Sequence, residues 1–241
     1  MVNKFTIYGE RCSGTNYLEG LITRNFNATV TWEFGRKHFF GFNDLSGADA
    51  DDTLFVGIVR DPTEWLNSFY RHLHHLPPHL CPKPLPSSLK NNIVAQRNNH
   101  NHNAYRFLNG AFYSLPSDEL GVIIPDVHLY TKHRYKNIFE MRHTKLRFLV
   151  EDMPKKVKHY LLIKYEDLMN HFDATMDRIK AAGNLEIKDG VPYPLNIHTY
   201  KAIKTAKTFD PKKIKPHAIP KHKVVKNKNL FPKYEQQLGY L

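Results

Sequence analysis

Cysteine is nearly absent: Cys12 and Cys81 are the only two in 241 residues. That argues against a disulfide framework and fits a reducing, cytoplasmic compartment. Long apolar runs are missing too. No stretch approaches the ~20 residues that a membrane-spanning helix needs, and the chain opens on a strand-like run with no visible signal peptide. Acids are few: 23 Asp and Glu stand against 35 Lys and Arg, a formal net charge of +12 with 15 histidines uncounted. The excess favours an anionic partner: nucleic acid, membrane surface, acidic glycan or nucleotide. Much of it lies late, with eleven lysines from Lys201 to Lys233 and only Asp210 and Glu235 as acids from position 201 onward. The plain alternative for that tail is a solvated basic surface. No recognised nucleic-acid motif or stacking-aromatic pattern accompanies the charge, which argues against nucleic acid as the partner.

What is present reads as globular. Hydrophobic residues make up 41% and charged residues 24% of the chain, and the length suits one α/β domain with a substantial core. Phe5–Tyr8 is a β-prone run ending at Gly9, and Tyr17, Leu18, Leu21 and Ile22 then recur at helical spacing. Thr29–Phe34 reads as a second strand. Thr53–Val59 is almost wholly apolar, as a strand buried on both faces should be. Asp61-Pro62 breaks it, and a helix follows from about Thr63 to His75. From Pro77 to about Asn103 prolines, asparagines and histidines dominate, giving a loop-rich insertion at about 77–115. A helix is expected over about Tyr135–Asp152, a further buried strand at Tyr160–Lys164, and a helix over about Phe172–Ala182 capped by Gly183. The region from about 190 is Pro- and Lys-rich. No internal repeat is visible. Alternating strands and helices predict a single domain spanning 1–241, built on a mostly parallel sheet covered by helices.

Two places carry chemistry. Gly9-Glu10-Arg11-Cys12-Ser13-Gly14-Thr15-Asn16 joins the first strand to the first helix. There backbone N–H groups and the helix dipole together favour an anion. The two glycines have the spacing of the nucleotide-hydrolase loop GxxxxGK[ST], but Thr15 stands where its lysine belongs. Transfer of a γ-phosphate needs that lysine. The loop therefore has a P-loop-like form without triphosphate chemistry. Arg11 adds a forked donor for phosphate; the bland reading is a tight glycine turn. The second place is Arg60, at the end of the buried strand, where ligands of open α/β sheets bind. Ser68 lies eight residues on, two helical turns away. The bland readings are a local Arg60–Asp61 ion pair and an ordinary helix-surface serine.

Together these segments resemble the sulfotransferase superfamily that uses 3′-phosphoadenosine 5′-phosphosulfate. Ser13-Gly14-Thr15-Asn16-Tyr17 is similar to its 5′-phosphosulfate loop. Arg60-Asp61-Pro62 with Ser68 is similar to its 3′-phosphate motif, and Tyr165-Glu166-Asp167-Leu168 to a YEDL segment after a later strand. The closing Glu235…Leu238-Gly239-Tyr240 is similar to the C-terminus of bacterial and viral-type members. The resemblance covers about 4–76 and 135–182. It implies a P-loop-like fold, a PAPS donor, no metal, and sulfuryl transfer to a hydroxyl of a glycan or other small acceptor. The implied donor contacts are Arg11, Cys12, Ser13, Gly14, Thr15, Asn16, Arg60, Ser68 and Tyr165. Three departures stand out. Cys12 holds the position where the family usually has Lys or Arg, with Arg11 just before it. Asn16 replaces a common threonine. The family's basic C-terminal glycine loop has no clear counterpart, for which Lys226 and Lys228 are the candidate substitutes.

An acceptor hydroxyl must lose a proton, and a positioned base contributes about 10²–10⁴-fold. The first candidate is His38, with Lys37 as a neighbouring contact, since some family members carry a Lys and a His close together at a comparable point. Glu33 is the alternative base. Glu166 and Asp167 are read as structural, bonding loop backbone. His72, His74 and His75 offer no i, i+4 ligand pair, so no metal site is expected. Cys12 has neither a cysteine partner nor an arranged histidine, which leaves thiol chemistry without support. The competing function is a catalytically weak nucleotide- or anion-binding protein of the same fold.

Overall fold

The structure, a computed structural model, describes residues 2–71, 126–188 and 232–241. The insertion at 77–115, the histidines at 72–75 and the lysine-rich stretch from 190 to 231 lie outside them. In chain order the elements are β1 (Lys4–Gly9), α1 (Thr15–Asn25), β2 (Thr29–Val30), α2 (Ala48–Asp51), β3 (Thr53–Val59) and α3 (Pro62–Arg71). Next come α4 (Ile138–Arg147), a π-helical turn (Phe148–Asp152), α5 (Met153–Lys156), β4 (His159–Lys164), α6 (Tyr165–Asn170), α7 (Phe172–Gly183) and α8 (Pro232–Gln237). The strands form one sheet in the order β2-β1-β3-β4, with every pair parallel. The protein is therefore an α/β fold with a parallel sheet and helices, as the alternating pattern predicts. Its residues fall into two compact units, one drawn from Met1–Trp65 and Lys145–Ala218, the other from Leu66–Thr144 and Ile219–Leu241.

The first unit holds the sheet, and strand alternation divides its core between two faces. Phe5 and Ile7 of β1 with Leu54, Val56 and Ile58 of β3 look to one face. There they pack with Leu18, Leu21 and Ile22 of α1 and Phe172, Met176 and Ile179 of α7. Tyr8 and Phe55 look to the other face, which is aromatic: Tyr8 stacks on Phe40 at 5.1 Å between ring centroids, Phe34 meets Phe55 at 5.2 Å, and Phe40 meets Phe148 at 5.7 Å. Cover on both faces is why β3 lacks a polar alternation.

Several elements depart from expectation for local reasons. The second strand ends at Val30 rather than Phe34. The Thr31 hydroxyl accepts the Glu33 N–H at 3.3 Å and the Trp32 carbonyl accepts the Gly35 N–H at 3.1 Å, with Gly35 at φ 106°. A side-chain-driven turn thus takes the chain off the sheet. The helix expected to end near Asp152 passes into a π-helical turn, where the Met153 N–H reaches back to the Phe148 carbonyl, and continues to Lys156. Pro154 has no N–H to donate, and the wider turn accommodates it. β4 is half-buried, with only Ile163 fully covered, because it is the last strand in the described sheet order. At the end of α7 the left-handed residue is Asn184, at φ 46°, not Gly183. Gly183 is small for another reason: a Cβ there would stand 2.9 Å from the Leu185 side chain and 3.1 Å from that of Leu54.

In the second unit, Asn137 caps α4 by accepting the Phe139 and Glu140 N–H groups at 3.0 and 2.9 Å. Arg142 of α4 and Glu235 of α8 form a two-pronged ion pair, with Nη2 to Oε2 at 2.9 Å and a second bond from Nε to Oε1, both side chains fully buried. The His143 and Tyr234 rings lie beside it at 4.9 Å. The C-terminal Glu235, which carried part of the family resemblance, is thus an anchor for α8.

A Cβ on Gly57, in the middle of β3, would meet the Tyr160 hydroxyl at 2.6 Å and a Leu162 methyl at 2.8 Å. Tyr160 is fixed there by its bond to the Leu149 carbonyl at 2.6 Å. Gly57→Ala should therefore lower stability by about 1–3 kcal/mol, read as a lower denaturant midpoint at unchanged slope. An unaltered midpoint would mean that β4 gives way freely.

Candidate anion-binding site

In the order β2-β1-β3-β4 the chain leaves β1 toward one edge and β3 toward the other, so the sheet's switch point lies between β1 and β3. Gly9 ends β1 opposite Ile58 of β3. A Cβ on Gly9 would lie 2.7 Å from the Ile58 carbonyl oxygen, so only glycine lets the strands stay paired there. The loop then folds on itself: the Glu10 carbonyl accepts the Ser13 N–H at 3.2 Å and the Ser13 hydroxyl at 2.6 Å. Cys12 at φ 66° and Gly14 at φ 101° are both left-handed. Alternation of hand turns successive N–H groups toward a common concavity. Gly14 is also the N-cap of α1, with no side-chain cap and no acid in the first turn. The opening N–H groups and the positive end of the helix are thus left for an anion.

Two distant segments close on this loop. Arg60, just past β3, directs Nη1 to the Cys12 carbonyl at 3.3 Å, and its guanidinium lies 4.6 Å over the Tyr165 ring. Tyr165 packs against Gly14 so tightly that a Cβ on Gly14 would lie 2.4 Å from the ring. The next residue, Glu166, accepts the Asp61 N–H at 2.9 Å. Asp61 in turn caps α3 by accepting the Thr63 and Glu64 N–H groups, each at 2.9 Å. Asp61 is thus a helix cap, while Arg60 pairs with Glu64 at 3.7 Å. Trp65, fully buried, donates its indole N–H to the Arg11 carbonyl at 2.9 Å. The loop is held from α3 and α6 as well as by its own bonds.

The turn after β2 supplies the third side. Its Lys37 carbonyl accepts the Gly9 N–H at 2.9 Å, and the His38 ring Nδ1 lies 2.9 Å from the Gly9 carbonyl. A carbonyl only accepts, so Nδ1 carries the proton and the Nε2 lone pair is bare. Burial, with Arg11 and then Lys37 and Lys145 nearby, holds the imidazole well below its usual 6.5, against the opposing pull of the Gly9 carbonyl. His38 is therefore neutral at pH 7. The Arg11 guanidinium lies 5.3 Å over the Phe39 ring. The Lys37 ammonium binds Glu19 at 2.9 Å and the Asn16 side-chain oxygen, and sits 5.3 Å over Trp32. Burial and then Tyr165 push the Tyr17 hydroxyl up to about 12.

The residues proposed from sequence divide accordingly. Arg11, Cys12, Ser13, Gly14, Thr15, Asn16, Lys37, His38, Arg60 and Tyr165 share one end of the sheet. Ser13 spends its hydroxyl inside the loop. Ser68 lies half-buried on α3 and belongs to the second unit. Glu33 is exposed and pairs with Lys4 at 3.7 Å, at the start of β1 and away from the loop. Lys145 was not legible as a site residue: it reads as a basic residue in the last turn of a helix, yet it is 2% exposed and donates to the His38 carbonyl at 2.9 Å.

Fold and site together define a parallel α/β protein with an uncapped glycine loop of P-loop-like form, lacking the P-loop lysine, at the switch point of its sheet. No family model and no curated protein matches the chain. Among solved structures it is similar to a mouse sulfotransferase crystallised with PAP, at 14% identity and a TM-score of 0.43, covering 99% of this chain and 82% of that one. Among the described residues no helix is long and apolar enough to cross a membrane.

Two outcomes follow from this geometry. Gly14→Ala must strain a left-handed residue and displace Tyr165, costing about 1–3 kcal/mol and abolishing anion binding at the loop; calorimetry with inorganic sulfate or phosphate reads both effects. His38 resists protonation in the fold while the unfolded chain takes a proton near 6.5, so its contribution to stability is whole above that pH and declines below it. Relative to His38→Gln, the wild type should lose no more than about 1.4 kcal/mol per pH unit between pH 6.5 and 5. Parallel curves for the two proteins would place a charged imidazole in the native state.

Proposed function

We propose that this chain is a sulfotransferase, moving a sulfuryl group from 3′-phosphoadenosine 5′-phosphosulfate to a hydroxyl of a glycan or other small acceptor. One observation carries the reading: segments 9–16, 60–61 and 165–166, matched to the family one by one in sequence, meet at a single strand end. Arg60 touches the loop and stacks on Tyr165, and Glu166 holds Asp61. The chain's residues fit such a donor. The first turn of α1 is uncapped and without acids. Arg11, Lys37 and Arg60 bring positive charge, and the buried Tyr17 hydroxyl finds no hydrogen-bond partner among the described residues. Arg60 is assigned to the 3′-phosphate. The assignment of Ser68 rests on the sequence resemblance alone. The bound donor supplies an activated sulfuryl group; no metal is required.

Sulfuryl transfer resembles phosphoryl transfer in having a loose, in-line transition state, so positioning and charge stabilisation dominate. The loop N–H groups and the α1 dipole would stabilise the negative charge that accumulates on the donor's oxygens. Arg11 lies beside His38 and provides a cation that the Cys12 position lacks. The bare Nε2 of His38 accepts the acceptor's hydroxyl proton. Its lowered basicity keeps nearly every molecule in the base form at neutral pH, at some loss of intrinsic strength. Lys37 braces Asn16 and Glu19 on α1 and steadies the turn that carries His38. The cytoplasm, a reducing compartment suited to a chain with two cysteines, is the setting this reading implies.

A second reading is favoured by Cys12: the same site binding nucleotide with weak turnover or none. The two part on one pair of measurements. At 100 times its Kd, 3′-phosphoadenosine 5′-phosphate should stabilise the wild type by about 2.7 kcal/mol, roughly 5–10 °C in Tm for a domain of this size, and Arg60→Ala should lose the shift. No shift at millimolar ligand ends both readings. A shift without release of the desulfated nucleotide across hydroxyl acceptors leaves the binding protein.

A further inference from the structure

The ammonium of Lys145 has a buried position that none of the motifs accounts for. It lies near the end of α4, 2% exposed, and donates to the main-chain carbonyl of His38 at 2.9 Å. It also stands over the flanking rings, 5.9 Å from the Phe39 centroid and 5.7 Å from that of Phe40. A buried ammonium is costly unless it is well bonded, and two aromatic faces with one carbonyl form a fitted socket. His38 is thereby gripped from two sides, by its ring on the Gly9 carbonyl and by its own carbonyl on Lys145.

We infer that Lys145 is the positioning residue of His38: its ammonium fixes the 38–40 backbone so that Nδ1–H points to Gly9 and Nε2 stays bare. The inference rests on the reading of His38 as the base. The charged groups around the ring are Arg11 from the loop after β1, Lys37 from its own turn and Lys145 from α4, with the Gly9 carbonyl opposing them. Lys37 is partly offset by Glu19. Lys145 is the cation bonded directly to the His38 main chain. Lys145 does not touch reacting atoms; it acts through His38.

Nitrogen NMR of histidine-labelled protein tests this without an activity assay, with His38→Gln identifying the resonance. In the wild type, His38 should be the Nδ1–H tautomer and stay neutral through pH 6.5, where a free imidazole is half charged. Lys145→Gln keeps a donor but removes the charge. Its His38 midpoint should rise, and Lys145→Arg should keep the wild-type value. An unchanged midpoint in a folded Lys145→Gln, or equal shifts in the Gln and Arg variants, would overturn the inference. Should Lys145→Gln not fold, the wild type decides: an Nε2–H tautomer, or a midpoint at 6.5, sinks it. A negative result here leaves the nucleotide-induced Tm shift untouched, and absence of that shift leaves the titration standing, so the two readings fail separately.

Discussion

The close approach of β1 and β3 at Gly9 is the constraint on which the site depends. With 2.7 Å between a would-be Cβ and the Ile58 carbonyl oxygen, the strands remain paired up to the point where their chains part. The loop 9–16 and Arg60 therefore emerge side by side. A parallel sheet leaves its switch point at adjacent strand ends as a matter of topology; here the glycine makes the crevice narrow enough for Arg60 to bond the Cys12 carbonyl. Both faces of the sheet are filled, by aliphatic residues under α1 and α7 and by aromatic rings under the turn after β2, so the loop sits on rigid footing.

The electrostatics follow from that convergence. Arg11, Lys37, Arg60 and Lys145 come from four segments to one end of the sheet. Three neighbouring carboxylates are committed: Glu166 to the Asp61 N–H, Asp61 to the first turn of α3, and Glu19 to Lys37. An anion entering the loop would meet the α1 N–H groups and these cations, with those three acids engaged in holding the frame. The neutral state of His38 belongs to the same arrangement. Positive neighbours and burial oppose a further positive charge, and a ring bonded through Nδ1 to a carbonyl offers Nε2 as an acceptor.

Much of the frame was legible from residue pattern. The apolar run Thr53–Val59 read correctly as a strand buried on both faces. The strand–glycine–helix transition at 9–16 needed only the spacing of Gly9, Gly14 and the α1 stripe. Boundaries were misjudged where a single side chain intervened, as with the Thr31 hydroxyl that ends β2, Pro154 with its π-helical turn, and Asn184 taking the left-handed place expected of Gly183. Lys145 was illegible because its role is set by a carbonyl more than a hundred residues away in sequence, and nothing in a basic last helical turn distinguishes a buried ammonium from a solvated one.

Local chemistry, by itself, determined the order of strands and helices, the form of the anion loop and the absence of a P-loop lysine, since periodicity and glycine placement act over a few residues. Only the tertiary structure decided which side chains meet. It turned the Ser13 hydroxyl inward, tied Glu33 to Lys4 away from the loop, and brought Tyr165 under Arg60. It also set the His38 proton on Nδ1. Each of these is a contact between segments far apart in the chain, and its geometry exists only once both faces of the sheet are packed.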